Sequence, residues 1–294
     1  MKFKPVLSAL VLLCSSLAAL AQPDVRLHSA HVVVMDEATG QVLLEKDAAT
    51  PAPIASMTKL MTAMVVLDAH LPLDERIRVD KADYDTIKFT RSGVPAGTVL
   101  PRGTMLQIAL MSSDNHAAAA LARTYPGGRP AFLAAVGRKI EALGLQDTVL
   151  EEPTGLSPHN HATALDMAKI LAAASAYPEI ADATTQRSEV VALNGRRRLF
   201  HNTNGFVGSP GWDILASKTG FTREAGRCLS MRLEEAGHKV LVVLMGAVQT
   251  SARSLDAMNI RRWLATEGLA EAGTATPGPV QADAPALRTV SVHD

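Results

Sequence analysis

The sequence predicts an α+β fold, with one antiparallel sheet built from N- and C-terminal strands and a mainly helical middle region packed on it. Two observations lead there. Strand-like runs cluster at residues 31–45 and again at 189–247, while the stretch between them carries apolar residues at helical spacing. Loops rich in Pro, Gly and His separate the helical stretches, and no internal repeat competes with this layout. Hydrophobic residues make up 47% of 294, enough for a sizeable core.

The first segment stands apart from the fold. Lys2 and Lys4 form a short positive start, residues 5–20 are apolar and uncharged, and Ala19-Leu20-Ala21 offers small residues where a signal peptidase reads. The expectation is a signal peptide over 1–21, cleaved near Ala21, and an exported mature chain. The apolar run is short for a membrane span, which needs about 20 residues. Leu13 before Cys14 is too large for a lipoprotein cleavage site. Without Lys2 and Lys4 the chain carries 27 basic against 29 acidic residues, a formal charge of −2. That balance gives no reason to expect nucleic-acid binding. Cys228 is then the one remaining cysteine, so stability must come from the core and not from a disulfide. No stable membrane anchor is expected after signal removal.

Runs over 31–36 and 41–45 read as two strands of a hairpin, with Gly40 in the connecting loop. A helix is predicted to begin near Ser56 and to end by Pro72. Further helices are expected over 106–111, 116–123, 130–143 and 162–176, with Thr163 as an N-cap and Asp166 as a weak capping-box partner. Strands resume over 189–193 and 197–200 around the turn Asn194-Gly195, then over 213–218, 227–233 and 239–247. A closing helix is predicted over 255–265. From residue 267 Gly, Ala, Pro and Thr dominate, and a disordered tail over 267–294 is expected. Residues 22–266 form the single catalytic domain in this division.

Three short motifs carry chemistry. In Ser56-Met57-Thr58-Lys59, at a helix start, positions i and i+3 share a face, which sets the Lys59 amine beside the Ser56 hydroxyl. A serine hydroxyl needs a base, and Lys59 serves as one only when desolvation or nearby positive charge lowers its pKa. By itself this motif is better read as an N-cap and a surface lysine, since Ser and Lys three apart are common. In Ser113-Asp114-Asn115, Ser113 can relay a proton and the Asn115 carboxamide can hold a substrate amide. By itself it reads as a helix cap. In Lys218-Thr219-Gly220, at a strand end, Lys218 supplies charge, Thr219 a hydroxyl for a substrate carboxylate, and Gly220 room for a substrate along the strand.

Taken together and in this order, the three resemble the motif set of penicillin-binding proteins and class A β-lactamases. The sequence is similar to the low-molecular-weight penicillin-binding proteins, the D-alanyl-D-alanine carboxypeptidase and endopeptidase family. The stretch from Pro53 through Ser56-Met57-Thr58-Lys59 to Val65 resembles the family's nucleophile helix. Ala109-Leu110-Met111-Ser112-Ser113-Asp114-Asn115, Glu152-Pro153-Thr154-Gly155-Leu156-Ser157 and Ser217-Lys218-Thr219-Gly220-Phe221-Thr222 resemble family segments as well. The likeness covers about residues 29–267.

The resemblance implies a β-lactamase/transpeptidase-like fold and a serine peptidase. Ser56 would attack the carbonyl of the penultimate D-alanine, Lys59 would take its proton, and the N–H groups of Ser56 and Phe221 would hold the oxyanion. Lys59, Ser113 and Lys218 would pass a proton to the leaving amine. Thr219, Gly220, Phe221 and, by family position, Arg253 are the expected substrate-binding residues. No metal or organic cofactor is implied; the partners are peptidoglycan peptides, with β-lactams as covalent inhibitors. Carboxypeptidase relatives commonly add a β-rich domain and an amphipathic anchor, so the Pro/Ala-rich ending after Trp263 favours a periplasmic endopeptidase cutting crosslinks. A carboxypeptidase is the alternative, with a β-lactamase or a non-catalytic sensor behind it.

Other features have plainer readings. His159 and His161 lie close together but lack metal-protease spacing. Cys228 in a strand is expected to be buried. Arg196-Arg197-Arg198 is expected to be a solvated strand edge, with contact to anionic wall polymer as the alternative. Glu152 lacks the Asn four residues on that a deacylating glutamate pairs with, since Leu156 stands there.

Overall fold

The computed structural model of the protein describes residues 25–269. The expected signal peptide and all of the expected tail beyond residue 269 lie outside these residues. Strands β1 (His31–Asp36) and β2 (Val42–Lys46) form the first hairpin, with Gly40 at φ 71° in the loop. The two-residue strand β3 (Ala52–Pro53) leads through a 3-10 turn, Ala55–Met57, into helix α1 (Thr58–Asp68). Residues Thr58 to Val66 of α1 are all buried, so this is a core helix and not an amphipathic surface one.

A small pair, β4 (Arg76–Arg78) and β5 (Val99–Pro101), brackets a long loop. Helices α2 (Arg102–Met111), α3 (Asn115–Arg123) and α4 (Gly128–Ala142) follow, then β6 (His161–Ala162), which pairs with β3. Helix α5 (Ala164–Ser175) begins at Thr163, whose side chain accepts from Asp166 N at 3.0 Å. The reciprocal half of the expected capping box is absent, because the Asp166 carboxylate turns to Asp147 N and Thr148 Oγ1. Helix α6 (Pro178–Thr185), with Pro at its first turn, was not anticipated from the sequence. Its eight residues are too few for a clear apolar period.

The hairpin β7 (Ser188–Leu193) and β8 (Arg196–His201) turns on Asn194 and Gly195, both at positive φ, as a two-residue turn requires. It forms its own two-stranded sheet and does not join the main one. The main sheet is completed by β9 (Asp213–Thr222), β10 (Gly226–Glu235) and β11 (His238–Ala247), in the order β2-β1-β11-β10-β9, all antiparallel. Strands from the two ends of the chain meet where Val33 faces Val243 in the β1–β11 pair.

The sheet is covered on both faces. Val33, Ala216, Cys228, Leu241, Val243 and Met245 pack into the helical region. Val32, Val34, Leu229, Met231, Val242 and Leu244 pack against Ala257, Ile260 and Trp263 of the closing helix α7 (Thr250–Trp263). The period-two alternation of β1 and β11 thus feeds two apolar layers. The helical path continues through a π-helical turn, Leu264–Gly268, and Leu269 is still buried, slightly beyond the predicted boundary at 266. No helix among the described residues is long and apolar enough to cross a membrane.

Candidate active site

Ser56 sits in the 3-10 turn at the entry to α1, one residue after Ala55, whose φ is 48°. Two glycines make room for this turn. A Cβ on Gly155 would lie 1.9 Å from Ala55 O, and one on Gly220 would lie 2.8 Å from Ile54 O. The 152–157 loop and the edge strand β9 therefore clasp the turn from two sides, at distances that only glycine permits.

Lys59, one helical turn on, is 1% exposed. Its Nζ lies 2.9 Å from Ser56 Oγ, 2.8 Å from Asn115 Oδ1 and 2.6 Å from Thr154 O. A carbonyl oxygen only accepts. When the amine is neutral, its two N–H bonds are taken by Asn115 Oδ1 and Thr154 O. The lone pair is then left for the Ser56 hydroxyl proton. Burial lowers the Lys59 pKa from 10.5 to about 8, against the opposing pull of Glu152, Asp114 and Asp85. Desolvation wins, and the amine reaches the range in which it can serve as a base.

Ser113, Asp114 and Asn115 divide their work. Asp114 is the N-cap of α3, accepting from Ala117 N at 3.0 Å, and it also binds Gly93 N and Ser92 Oγ. The simple capping reading of this motif holds for Asp114 alone. Ser113, at φ 61°, accepts from Lys218 Nζ at 2.8 Å. Asn115 turns its oxygen to Lys59 and donates from Nδ2 to Thr90 Oγ1 at 2.9 Å. Lys218 is buried like Lys59. Desolvation, and then the charge of Lys59, push its pKa well below the usual value. A second buried amine thus stands on the opposite side of the cleft.

Thr219 shares a 2.6 Å hydrogen bond with Thr203, which follows β8. Phe221 is about half exposed, and its ring lies 3.5 Å from the Arg227 guanidinium carbon. Arg253 is buried, with Nη1 donating to Cys228 O at 3.1 Å and Nε unpartnered. It makes no hydrogen bond to Ser56, Lys59, Ser113 or Lys218. Thr90 and Thr203 also serve the cluster and carry no signal in the sequence, while Thr154 and Gly155 stand in the family-like 152–157 segment with no role assigned from sequence. Thr154 acts through a backbone carbonyl, which leaves no mark on residue type.

Glu152 is a structural residue. Its carboxylate accepts from Thr154 N, Leu156 N and Asn160 Nδ2 at 2.7, 2.9 and 3.1 Å, which holds the loop that presents Thr154 O to Lys59. Cys228 is fully buried, and desolvation pushes its thiol up to about 11, so it is an inert packing residue. His161 pairs in β6 with Pro53, and its Nδ1 lies against His159 O.

A model of the D-alanyl-D-alanine carboxypeptidase family matches residues 18–249. The chain is 43% identical over 242 residues to a D-alanyl-D-alanine endopeptidase of Pseudomonas aeruginosa, covering 82% of this chain and 78% of that one. It is 42% identical over 248 residues to the D-alanyl-D-alanine endopeptidase of Escherichia coli, covering 84% and 79%. Among solved structures it resembles the Streptomyces K15 DD-transpeptidase, with TM-score 0.76 and 26% identity over 85% of this chain and all of that one.

Proposed function

The chain belongs to the D-alanyl-D-alanine carboxypeptidase family of serine peptidases, and from this premise we propose that it is a periplasmic D-alanyl-D-alanine endopeptidase that cuts peptidoglycan crosslinks. It is a serine hydrolase of D-alanyl peptide bonds; the family acts on peptidoglycan peptides and binds β-lactams. The preference for crosslinks is supported by the endopeptidase relatives at more than 40% identity. The periplasmic assignment rests on the leader-like pattern of residues 1–21.

The observation that carries the catalytic reading is the 2.9 Å contact between the buried Lys59 Nζ and the partly exposed Ser56 Oγ. Ser56 Oγ bonds to the carbonyl carbon of the scissile amide while its proton passes to Lys59. The N–H groups of Ser56 and Phe221 receive the oxyanion, and one such donor is typically worth roughly 10²–10³ in rate. As the C–N bond breaks, the leaving amine takes a proton delivered through Ser113 from the buried amines. Water then attacks the acyl ester, giving its proton to Lys59, and the carboxylic acid departs as Ser56 is restored. Thr219, with Thr203 behind it, and Gly220 line the strand along which the substrate lies. Arg253, held by Cys228 O, is the further candidate for the substrate carboxylate.

Mass spectrometry of muropeptides before and after treatment tests the reading. Loss of crosslinked dimers is expected with the wild type, and none with Ser56→Ala, which is also expected not to be labelled by penicillin. Removal of single D-alanine from pentapeptides with dimers untouched would make it a carboxypeptidase. Penicillin labelling that survives Ser56→Ala would refute the nucleophile.

A further inference from the structure

An open groove of about 250 Å³ lies between the loop before α3 and strand β8, lined by Arg91, Gly93, Ser113, Asn115, Arg198 and His201 among others. Its lining is cationic on balance, with Arg91 and Arg198 against Asp114, and Arg196 and Arg197 extend the positive row outside it. Arg196, Arg197 and Arg198 are exposed in succession on β8, and Arg91 is exposed across from them. None of these four arginines forms an ion pair among the described residues. The carboxylates nearby are already engaged. Asp114 accepts from Ser92, Gly93 N and Ala117 N, and Glu189 accepts from Gln186 Nε2.

The groove is aimed. Residues two apart on a strand share a face, so Arg196 and Arg198 point with Phe200. Phe200 is buried beneath Gly93, where a glycine Cβ would meet its ring at 2.7 Å. The Arg198 guanidinium carbon lies 5.6 Å from the Phe200 ring centroid, at the groove. Ser113, whose hydroxyl accepts from Lys218, is among the residues that line the groove. Two residues after His201, Thr203 binds the Thr219 hydroxyl. The groove therefore adjoins the catalytic cluster at Ser113 and Asn115, on the side from which the leaving amine would receive its proton.

We propose that this groove binds the leaving strand of the crosslink, an acidic peptide, by its carboxylates, with Arg198 and Arg91 as the groups that read them. The proposal rests on the crosslink-cutting reading above and adds its specificity device. A departing single amino acid has no chain to extend past Ser113. A departing stem peptide does, and it carries its own C-terminal carboxylate and those of its acidic residues. Arginine forks match carboxylates in a bidentate way, and exposed unpaired arginines lose little by turning to them. A long anionic wall polymer is the less favoured occupant, because the groove takes in Ser113 and Asn115 of the catalytic cluster.

The test uses the full chain and soluble crosslinked muropeptide dimers. Arg91→Glu with Arg198→Glu is expected to raise KM by about tenfold or more while kcat stays within about twofold, the pattern of lost ground-state binding. Arg198→Lys, which keeps the charge but loses the fork, is expected to raise KM by less than the charge reversal does, and Arg138→Glu, exposed on α4, to change nothing. Dimers with amidated carboxylates are expected to raise the wild-type KM to that of the double variant. Unchanged KM in the double variant would overturn the groove, as would a fall in kcat at constant KM. A defect seen only on intact sacculi, with soluble dimers cut normally, would give the surface to a polymer instead. Wild-type protein that trims pentapeptides but leaves every dimer intact would overturn the crosslink reading itself and the groove with it.

Discussion

Lys59 stands between two opposing influences. Three carboxylates favour its charged form, and burial disfavours it; burial prevails and leaves the pKa near 8. The pH dependence follows with a definite sign. Only the neutral amine accepts the Ser56 proton, and at pH 7 roughly a tenth of the molecules hold it in that form. Acylation by penicillin is expected to rise about tenfold per pH unit below 8 and to level off above it. Acylation rates measured from pH 5.5 to 9 check this, and a flat profile would remove Lys59 as the base. The residue types at this site were readable as a motif, but the neutral amine was not. It depends on Asn115 Oδ1 and Thr154 O, which reach Lys59 from 56 and 95 residues away.

Elements matter here for how close they come. The turn bearing Ser56 is held by the 152–157 loop on one side and β9 on the other, with Gly155 at φ 83° and 1.9 Å of Cβ clearance from Ala55 O. Ala55 and Ser113 both hold a left-handed backbone, which costs about 1–2 kcal/mol each and persists because neighbours over-determine it. Gly155→Ala is expected to destabilise the fold by about 3 kcal/mol or more and to slow penicillin labelling. Gly144→Ala, also at positive φ but in open space, is expected to cost only about 1 kcal/mol and leave labelling intact. Denaturant titrations of the two, with labelling rates, separate steric crowding from backbone strain. The strands and most helices were legible from period and turn residues. Helix α6, and the separation of β7–β8 from the main sheet, were not, because short elements take their place from packing and not from their own pattern.

The whole molecule is a sheet with apolar layers on both faces, only one of which carries the active site. The α7 side, with Val32, Leu229, Val242, Ile260 and Trp263, lies away from the cluster of Ser56, Lys59 and Lys218. Trp263→Ala is expected to remove about 3–5 kcal/mol of stability. Thermal melting should fall while the folded fraction keeps its rate of penicillin labelling. A parallel loss of rate in fully folded protein would mean that this layer is coupled to the site.

The sequence by itself determined the α+β class, the strand alternation, the Thr163 cap, a cap somewhere in Ser113-Asp114-Asn115 and the three motifs, because each depends on residues close together in the chain. Tertiary structure alone decided that the motifs converge, that Lys59 is desolvated and that an unpaired arginine groove opens beside Ser113. Desolvation and electrostatic pairing depend on distances through space, and the chain brings those groups together only when the sheet closes β9 against the entry to α1.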